Sequence, residues 1–267
     1  MPGFDTLLGG GLVEAGLYLL EGHAGTGKTI LANQIAFNVA RAGKRVLVIT
    51  LIAESHGKLL EHLRGFDFFD QQAVADRYVL LSGFNDIVDQ GLDGLLQFIS
   101  TTVHELHPTL FVLDGFATAR EYGESPRDLA KFLHALNALV TAMGCTTILL
   151  APISGTDPHP EHTLVDGLIE LSQARSGLRR AREIEIHKMR GGKHLTGQHV
   201  FTIRSGGVRV YPRLETVIGA QDVEPGEDRE LVSTGIPRLD EIVGAGSCAA
   251  RRPACSARPA SARRSSG

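Results

Sequence analysis

Residues Gly22-His23-Ala24-Gly25-Thr26-Gly27-Lys28-Thr29 read as G-x-x-x-x-G-K-[ST], and their neighbours decide what that match means. Before them, Gly16 to Glu21 (GLYLLE) is an apolar run suited to a buried strand. After them, Lys28 to Ala42 carries a helical apolar period, with Gly43 placed to end it. A strand that passes through a Gly-rich turn into a helix presents successive backbone N–H groups, and the positive end of the helix dipole, to phosphate oxygens. Gly22, His23, Ala24, Gly25, Thr26 and Gly27 are therefore expected to wrap the phosphates of a nucleotide. Lys28 is expected to reach the β- and γ-phosphates, and Thr29 to place its hydroxyl on Mg²⁺.

Working outward, apolar runs alternate with amphipathic stretches, the pattern of an α/β fold with a mostly parallel central sheet flanked by helices. Arg45 to Ile52 predicts a buried strand, Ser55 to Arg64 a helix closed by Gly65, Tyr78 to Leu81 a strand and 88 to 106 a helix. Leu110 to Leu113 predicts a short central strand that ends in Asp114. Ser125-Pro126-Arg127-Asp128 combines an N-cap serine, a proline at the first helical position and an acid at the third, which predicts a helix to Met143 with Gly144 after it. Further strands are predicted over Thr146 to Ala151, Leu164 to Leu171 and Glu183 to Lys188. His199 to Ile203 and Val208 to Tyr211, on either side of Ser205-Gly206-Gly207, predict a C-terminal β-hairpin.

Composition narrows the function. The 267 residues carry 27 Lys+Arg against 30 Asp+Glu, a formal charge of −3. Five Arg and no acid fall in residues 247–267 (SCAARRPACSARPASARRSSG), so the rest of the chain stands at −8. An acidic body argues against a general nucleic-acid binder, which needs a basic footprint. No apolar run approaches the roughly 18 residues of a membrane span, and MPGFDTLLGGG has no basic region ahead of an apolar one. Cys145, Cys248 and Cys255 have neither disulfide nor zinc spacing and fit a reducing, cytoplasmic setting.

Pro2 to Gly11 (PGFDTLLGGG) aligns with Pro237 to Gly246 (PRLDEIVGAG) 235 residues later, sharing Pro, Asp and two Gly. A shared capping pattern also accounts for so short a match. Read as a repeat, it divides the chain into a P-loop domain over 1–215, an acidic linker over 216–233, the start of a truncated second copy over 234–246, and a disordered basic tail over 247–267. The Arg, Ala, Pro and Ser bias of that tail is what out-of-frame reading of a GC-rich gene produces.

Three further groups bear on chemistry. Asp114, closing a buried strand, suits Mg²⁺ bound through water. Glu54, following the second strand, suits orientation or deprotonation of an attacking water, or else caps the helix that begins at Ser55. In the basic stretch Arg175, Arg179, Arg180, Arg182, Lys188, Arg190 and Lys193, the alternation of Lys188 and Arg190 about Met189 puts both on one side of a strand end. That arrangement suits a pair delivered to a phosphate on an adjacent subunit; a solvated face is the alternative. His159-Pro160-Glu161-His162 reads as a loop rather than a metal site, and Asp166 as a strand-end residue.

Together these residues resemble the KaiC-like branch of the RecA superfamily, over about Pro2 to Pro212. The resemblance rests on GFD…GGG, GHAGTGKT, the strand leading to Glu54-Ser55, LFVLDG, VDGLIEL, and IEIHKMRGGKHLTGQHVFTI followed by VRVYP. It implies a RecA-like P-loop NTPase that binds ATP and Mg²⁺ and hydrolyses ATP at the subunit interfaces of a hexameric ring. It also implies that Lys188 and Arg190, in K-x-R-G, act with His194 in trans on the neighbour's nucleotide. Regulatory protein partners and a role in circadian-clock-like or signalling regulation follow from the same resemblance. This sequence departs from the family at Ala53-Glu54, where the family often has two glutamates, which implies either slow turnover or a domain that mainly binds ATP to hold a ring together. An autophosphorylating Ser/Thr kinase, in an intact two-domain parent, and a recombinase-like DNA-stimulated ATPase stand as alternatives.

Overall fold

The computed structural model describes residues 1, 3–52, 56–153, 160–176, 179–219, 231–232 and 247–248. Met1–Ala220 and Gln221–Gly267 form separate units.

The first unit begins with α1 (Phe4–Leu7), which leads into β1 (Leu17–Gly22) and α2 (Lys28–Arg41). Then come β2 (Val46–Thr50), α3 (His56–Leu63), α4 (Gln71–Asp76), β3 (Tyr78–Ser82) and α5 (Phe84–Leu106). They are followed by β4 (Leu110–Asp114), α6 (Phe116–Tyr122), α7 (Pro126–Ala142), β5 (Thr146–Ala151) and α8 (Pro160–Leu164). The last elements are β6 (Gly167–Ser176), β7 (Arg179–Met189), β8 (His199–Arg204), β9 (Gly207–Tyr211) and α9 (Leu214–Gly219).

One sheet takes all nine strands in the order β3-β2-β4-β5-β1-β6-β7-β8-β9. The strands from β3 to β6 in that order are mutually parallel, and the pairs β6–β7, β7–β8 and β8–β9 are antiparallel. Alternation along each buried strand sends side chains to both faces. In β1, Tyr18 and Leu20 join Leu31, Ala36 and Phe37 of α2, while Leu17 and Leu19 join residues of α5 and α7 such as Leu95, Ile99, Leu133 and Leu136. The sheet is thus sandwiched between two helical layers, and the carboxyl ends of its parallel strands open at one end.

Several elements form as the sequence predicts. Ser125 Oγ accepts from Asp128 N at 3.3 Å and donates to Asp128 Oδ2 at 2.7 Å, starting α7 behind Pro126. The antiparallel pair β8–β9 is the expected hairpin.

Others differ. The run predicted as a strand from Leu164 is divided: Leu164 ends α8 and the strand starts at Gly167. The break lies at Asp166, whose N–H donates to Leu17 O at 2.7 Å while its Oδ2 accepts from Leu17 N at 3.0 Å. β6 and β7 extend past their predicted ends as a long ribbon, Ser172 pairing with Glu183 and Ser176 with Arg179. Pairing there is carried by backbone bonds between polar residues and one alanine pair, Ala174 with Ala181, so large apolar runs underestimate it. Helix α5 starts at Phe84 rather than 88, with a break at Gly91. α4, capped by Asp70 Oδ1 on Gln72 N at 2.9 Å, and the short α1, α6 and α8 carry too few turns to show a period.

Helix α9 crosses the expected domain end at 215. In the second unit, β10 (Leu231–Val232) pairs antiparallel with β11 (Ser247–Cys248), which places the first two residues of the expected tail in a strand. The repeat at 237–246 and residues 249–267 lie outside the described residues. Among the described residues, no helix is long and apolar enough to cross a membrane.

Candidate nucleotide site

The P-loop follows the carboxyl end of β1, in the middle of the sheet. His23, Ala24 and Gly25 are exposed, Thr26 is buried, and Gly27 to Thr29 are half-buried as the chain enters α2. The turn is closed by Thr26, whose N–H and Oγ1 both donate to His23 O, at 3.3 and 2.9 Å. Lys28 Nζ lies across the loop and donates to Gly22 O at 2.6 Å and His23 O at 3.1 Å. Burial lowers the Lys28 pKa, and the nearby Asp114 carboxylate opposes that shift. Outside the sequence-defined loop, Gln173 of β6 donates from Nε2 to Gly25 O at 3.1 Å and braces it.

Thr29 Oγ1 donates to Asp114 Oδ2 at 2.9 Å. Asp114 closes β4, as the sequence predicts. In the structure β5 lies between β1 and β4, and Thr29 in the first turn of α2 spans the gap. Thr29 is supported in turn by Asn33, whose Nδ2 donates to Thr29 O at 2.7 Å and whose Oδ1 accepts from the buried Tyr78 hydroxyl. Burial first, and Asp114 second, raise the Tyr78 pKa, so the phenol stays a protonated donor.

A hydroxyl and a carboxylate at the phosphate loop are hard oxygen ligands of the kind Mg²⁺ takes. Among the described residues no group of three or more His, Cys, Asp or Glu could hold a metal. Two protein oxygens therefore fit an ion completed by phosphate and water rather than a protein cage. Pro160, Glu161 and His162, read from the sequence as a loop, open α8 instead, because three residues of a one-turn helix show no period; His162 Nε2 lies 2.9 Å from Glu21 Oε2, and His159 lies outside the described residues.

Glu54 also lies outside the described residues, and β2, which precedes it, is separated from β1 by β4 and β5.

Lys188 and Arg190 do converge on one side. Lys188 Nζ donates to His162 O at 2.9 Å and Thr163 O at 3.0 Å, and Arg190 donates to Thr163 O at 3.2 Å while lying 3.7 Å from Asp166. A β-bulge aims them there. Ile169 pairs with Ile186 but Leu168 with Lys188, so His187 is an extra residue and Lys188 falls on the face opposite Ile186. Burial lowers the Lys188 pKa, Arg190 lowers it further and Asp166 counteracts. Register puts this pair at the sheet end away from its own P-loop: Gly22 pairs with Leu171, whereas Lys188 lies opposite Leu168. His194 is half-buried in the following loop, which is tied to α1 by Leu195 N on Leu7 O at 2.9 Å.

Sequence reasoning missed a buried ionic group beside the loop. Glu21, 5% exposed, takes Arg120 and His162, and Arg120 also pairs with Glu161, 1% exposed. The available signal was an acid closing the otherwise apolar strand GLYLLE, since a buried charge requires a partner.

Comparison with known proteins agrees with this geometry. The family described as "ATPase: KaiC" matches residues 1–215. The circadian clock oscillator protein KaiC of Parasynechococcus marenigrum (strain WH8102) is 26% identical over 260 residues, 92% of this chain and 49% of that protein. KaiC of Synechococcus elongatus is 25% identical over 260 residues, with the same shares. The chain thus spans about half the length of the curated relatives it matches. The crystal structure of a KaiC-like protein from Pyrococcus horikoshii superposes with a TM-score of 0.69 at 28% identity, covering 79% of this chain and 96% of that one. With the P-loop, the sheet order and the matched residues in agreement, the chain belongs to the KaiC family of RecA-type, ATP-binding P-loop ATPases.

Proposed function

We propose that the domain binds Mg²⁺–ATP on Gly22–Thr29 and hydrolyses it slowly, with the site completed by a neighbouring copy in a ring, as a hexamer. The observation that carries this reading is the Thr29–Asp114 contact of 2.9 Å at the mouth of the P-loop. It sets a hydroxyl and a carboxylate where the β- and γ-phosphates would lie. Mg²⁺, when bound, would neutralise charge developing on the phosphates. Thr29 would touch the ion and Asp114 would hold its water. Lys28 would move from the Gly22 and His23 carbonyls to phosphate oxygens, and Glu54 would orient the attacking water.

In this reading Lys188 and Arg190 act on the neighbour's nucleotide together with His194, because the Lys188–Arg190 pair sits at the sheet end away from its own loop. Hydrolysis then depends on assembly. Size determination with and without ATP, alongside turnover and a Lys28→Ala control, tests this; a monomer hydrolysing ATP as fast as an oligomer would contradict it. Glu54→Gln should keep binding and lose turnover.

The setting proposed is the cytoplasm, with protein partners in clock-like or signalling regulation. Relatives about twice as long favour a two-domain parent, in which Ser/Thr autophosphorylation is the second reading. Labelled phosphate appearing on the protein would support it. The charge of −8 outside the tail disfavours a DNA-stimulated recombinase, and absence of salt-sensitive DNA binding would discard it.

A further inference from the structure

Four ionisable side chains from three elements meet at the carboxyl end of β1. Arg120 of α6 donates from Nη2 to Glu21 Oε1 at 2.9 Å and from Nη1 to Pro152 O at 3.2 Å. Its Nε lies 2.5 Å from Glu161 Oε1 of α8, an ion pair without hydrogen-bond alignment. The guanidinium also lies 5.7 Å from the centre of the Phe116 ring. His162 of α8 donates from Nε2 to Glu21 Oε2 at 2.9 Å; facing a carboxylate, that nitrogen carries the proton.

Burying such charges is costly, and a hydrophobic replacement is often neutral or stabilising, so stability alone gives little reason for them. Their location offers another. Glu21 is followed by Gly22, whose carbonyl holds Lys28, and the carbonyls of His162 and Thr163 hold Lys188 and Arg190. The ionic group is the link between these two cation seats. It locks β1, at the base of the P-loop, to the short helix on which the Lys188–Arg190 pair rests.

We propose that Arg120, Glu161 and His162 are positioning residues that couple nucleotide binding on a protomer's own P-loop to the presentation of its Lys188–Arg190 pair to the next copy. The proposal rests on the reading of that pair as acting in trans. A displacement of the Gly22 carbonyl as Lys28 engages phosphate is passed through Glu21 to Arg120 and His162, and so to the carbonyls of α8. None of the three positioning residues belongs to the P-loop.

The test uses the full chain with Glu161→Gln and Arg120→Lys, each alone and combined with Lys188→Ala. Folding is followed by circular dichroism, affinity with a non-hydrolysable ATP analogue, and turnover by phosphate release. Each single variant should keep affinity within about threefold and lose about tenfold in kcat, the ordinary size of a coupling between sites. Added to Lys188→Ala, neither should lower kcat further, because they act through Lys188. Unchanged kcat in folded single variants, or multiplicative losses in the double variants, overturns the proposal while the trans reading stands. Unchanged kcat in Lys188→Ala overturns the trans reading and the proposal with it. If the variants do not fold, hydrogen exchange on the wild-type chain decides: the analogue should slow exchange in α8 as well as in the P-loop, and unchanged exchange in α8 overturns the proposal.

Discussion

Thr29 Oγ1 donates to Asp114 Oδ2 across the intervening β5, joining the first turn of α2 to the last residue of β4 at 2.9 Å. If this pair holds the metal, Thr29→Ser should keep Mg²⁺-dependent turnover and Thr29→Val should lose it. Asp114→Asn, which removes only the charge, should weaken Mg²⁺ dependence by about 10- to 100-fold. Titrating Mg²⁺ at fixed ATP while following phosphate release measures both.

Burial holds the Lys28 pKa below its ordinary value, whereas bound phosphate favours the charged amine. Between the lowered and the ordinary pKa, the free protein has lost part of a proton that the complex regains. ATP affinity should therefore fall as pH rises through that window. For unfolding the sign is opposite: the unfolded chain binds more protons there, so this group's contribution to stability rises with pH. Calorimetry at about pH 9 in two buffers of different ionisation enthalpy should show proton uptake on binding. Equal observed heats in the two buffers would refute it.

A methyl added at Gly22 would lie 2.3 Å from the Leu171 carbonyl oxygen, and one at Gly27 would lie 2.4 Å from Ile203 Cδ1. The first obstacle is sheet backbone, the second the tip of a side chain, but Gly27 also sits at φ 110°. Gly22→Ala should destabilise by about 1–3 kcal/mol through overpacking. Gly27→Ala should cost about 1–3 kcal/mol in strain, of which Ile203→Ala in a double-mutant cycle recovers the contact part and leaves the backbone part. Urea unfolding provides the values.

Cys145 is fully buried ahead of β5, and burial pushes its thiol up to about 12, with Thr147 partly offsetting. With Cys248 and Cys255 changed to Ser, iodoacetamide at about pH 8 should leave the folded protein unlabelled. Labelling at Cys145 should then track global unfolding in urea, and prompt labelling of native protein would be the contrary result.

How far the sequence reveals all this depends on the range over which each feature is encoded. The P-loop, the strand ending in Asp114 and the α7 cap are local patterns, readable because each is made by residues within one turn or one strand. The position of Lys188 was legible only in part. Alternation put it beside Arg190, but the bulge at His187, set by pairing with β6, decides which face both occupy. The Glu21–Arg120–Glu161–His162 group was invisible because its members lie up to 141 residues apart and none forms a motif. Leu164 was misread because an apolar helix end and an apolar strand differ only in what Asp166 does to the backbone between them.

The two lysines of the site share a kind of seat that the arginine between them does not. Lys28 and Lys188 each rest on the carbonyls of two consecutive residues, neutral acceptors whose place water or a phosphate oxygen can take when the ammonium leaves. Arg120 is gripped by two carboxylates, and pulling it away would strand buried charge at about 3–5 kcal/mol. The chain thus separates charge that can travel from charge that must stay. Its mobile cations are stored where departure is cheap, and its fixed cation is anchored by groups that cannot release it without harm to the fold.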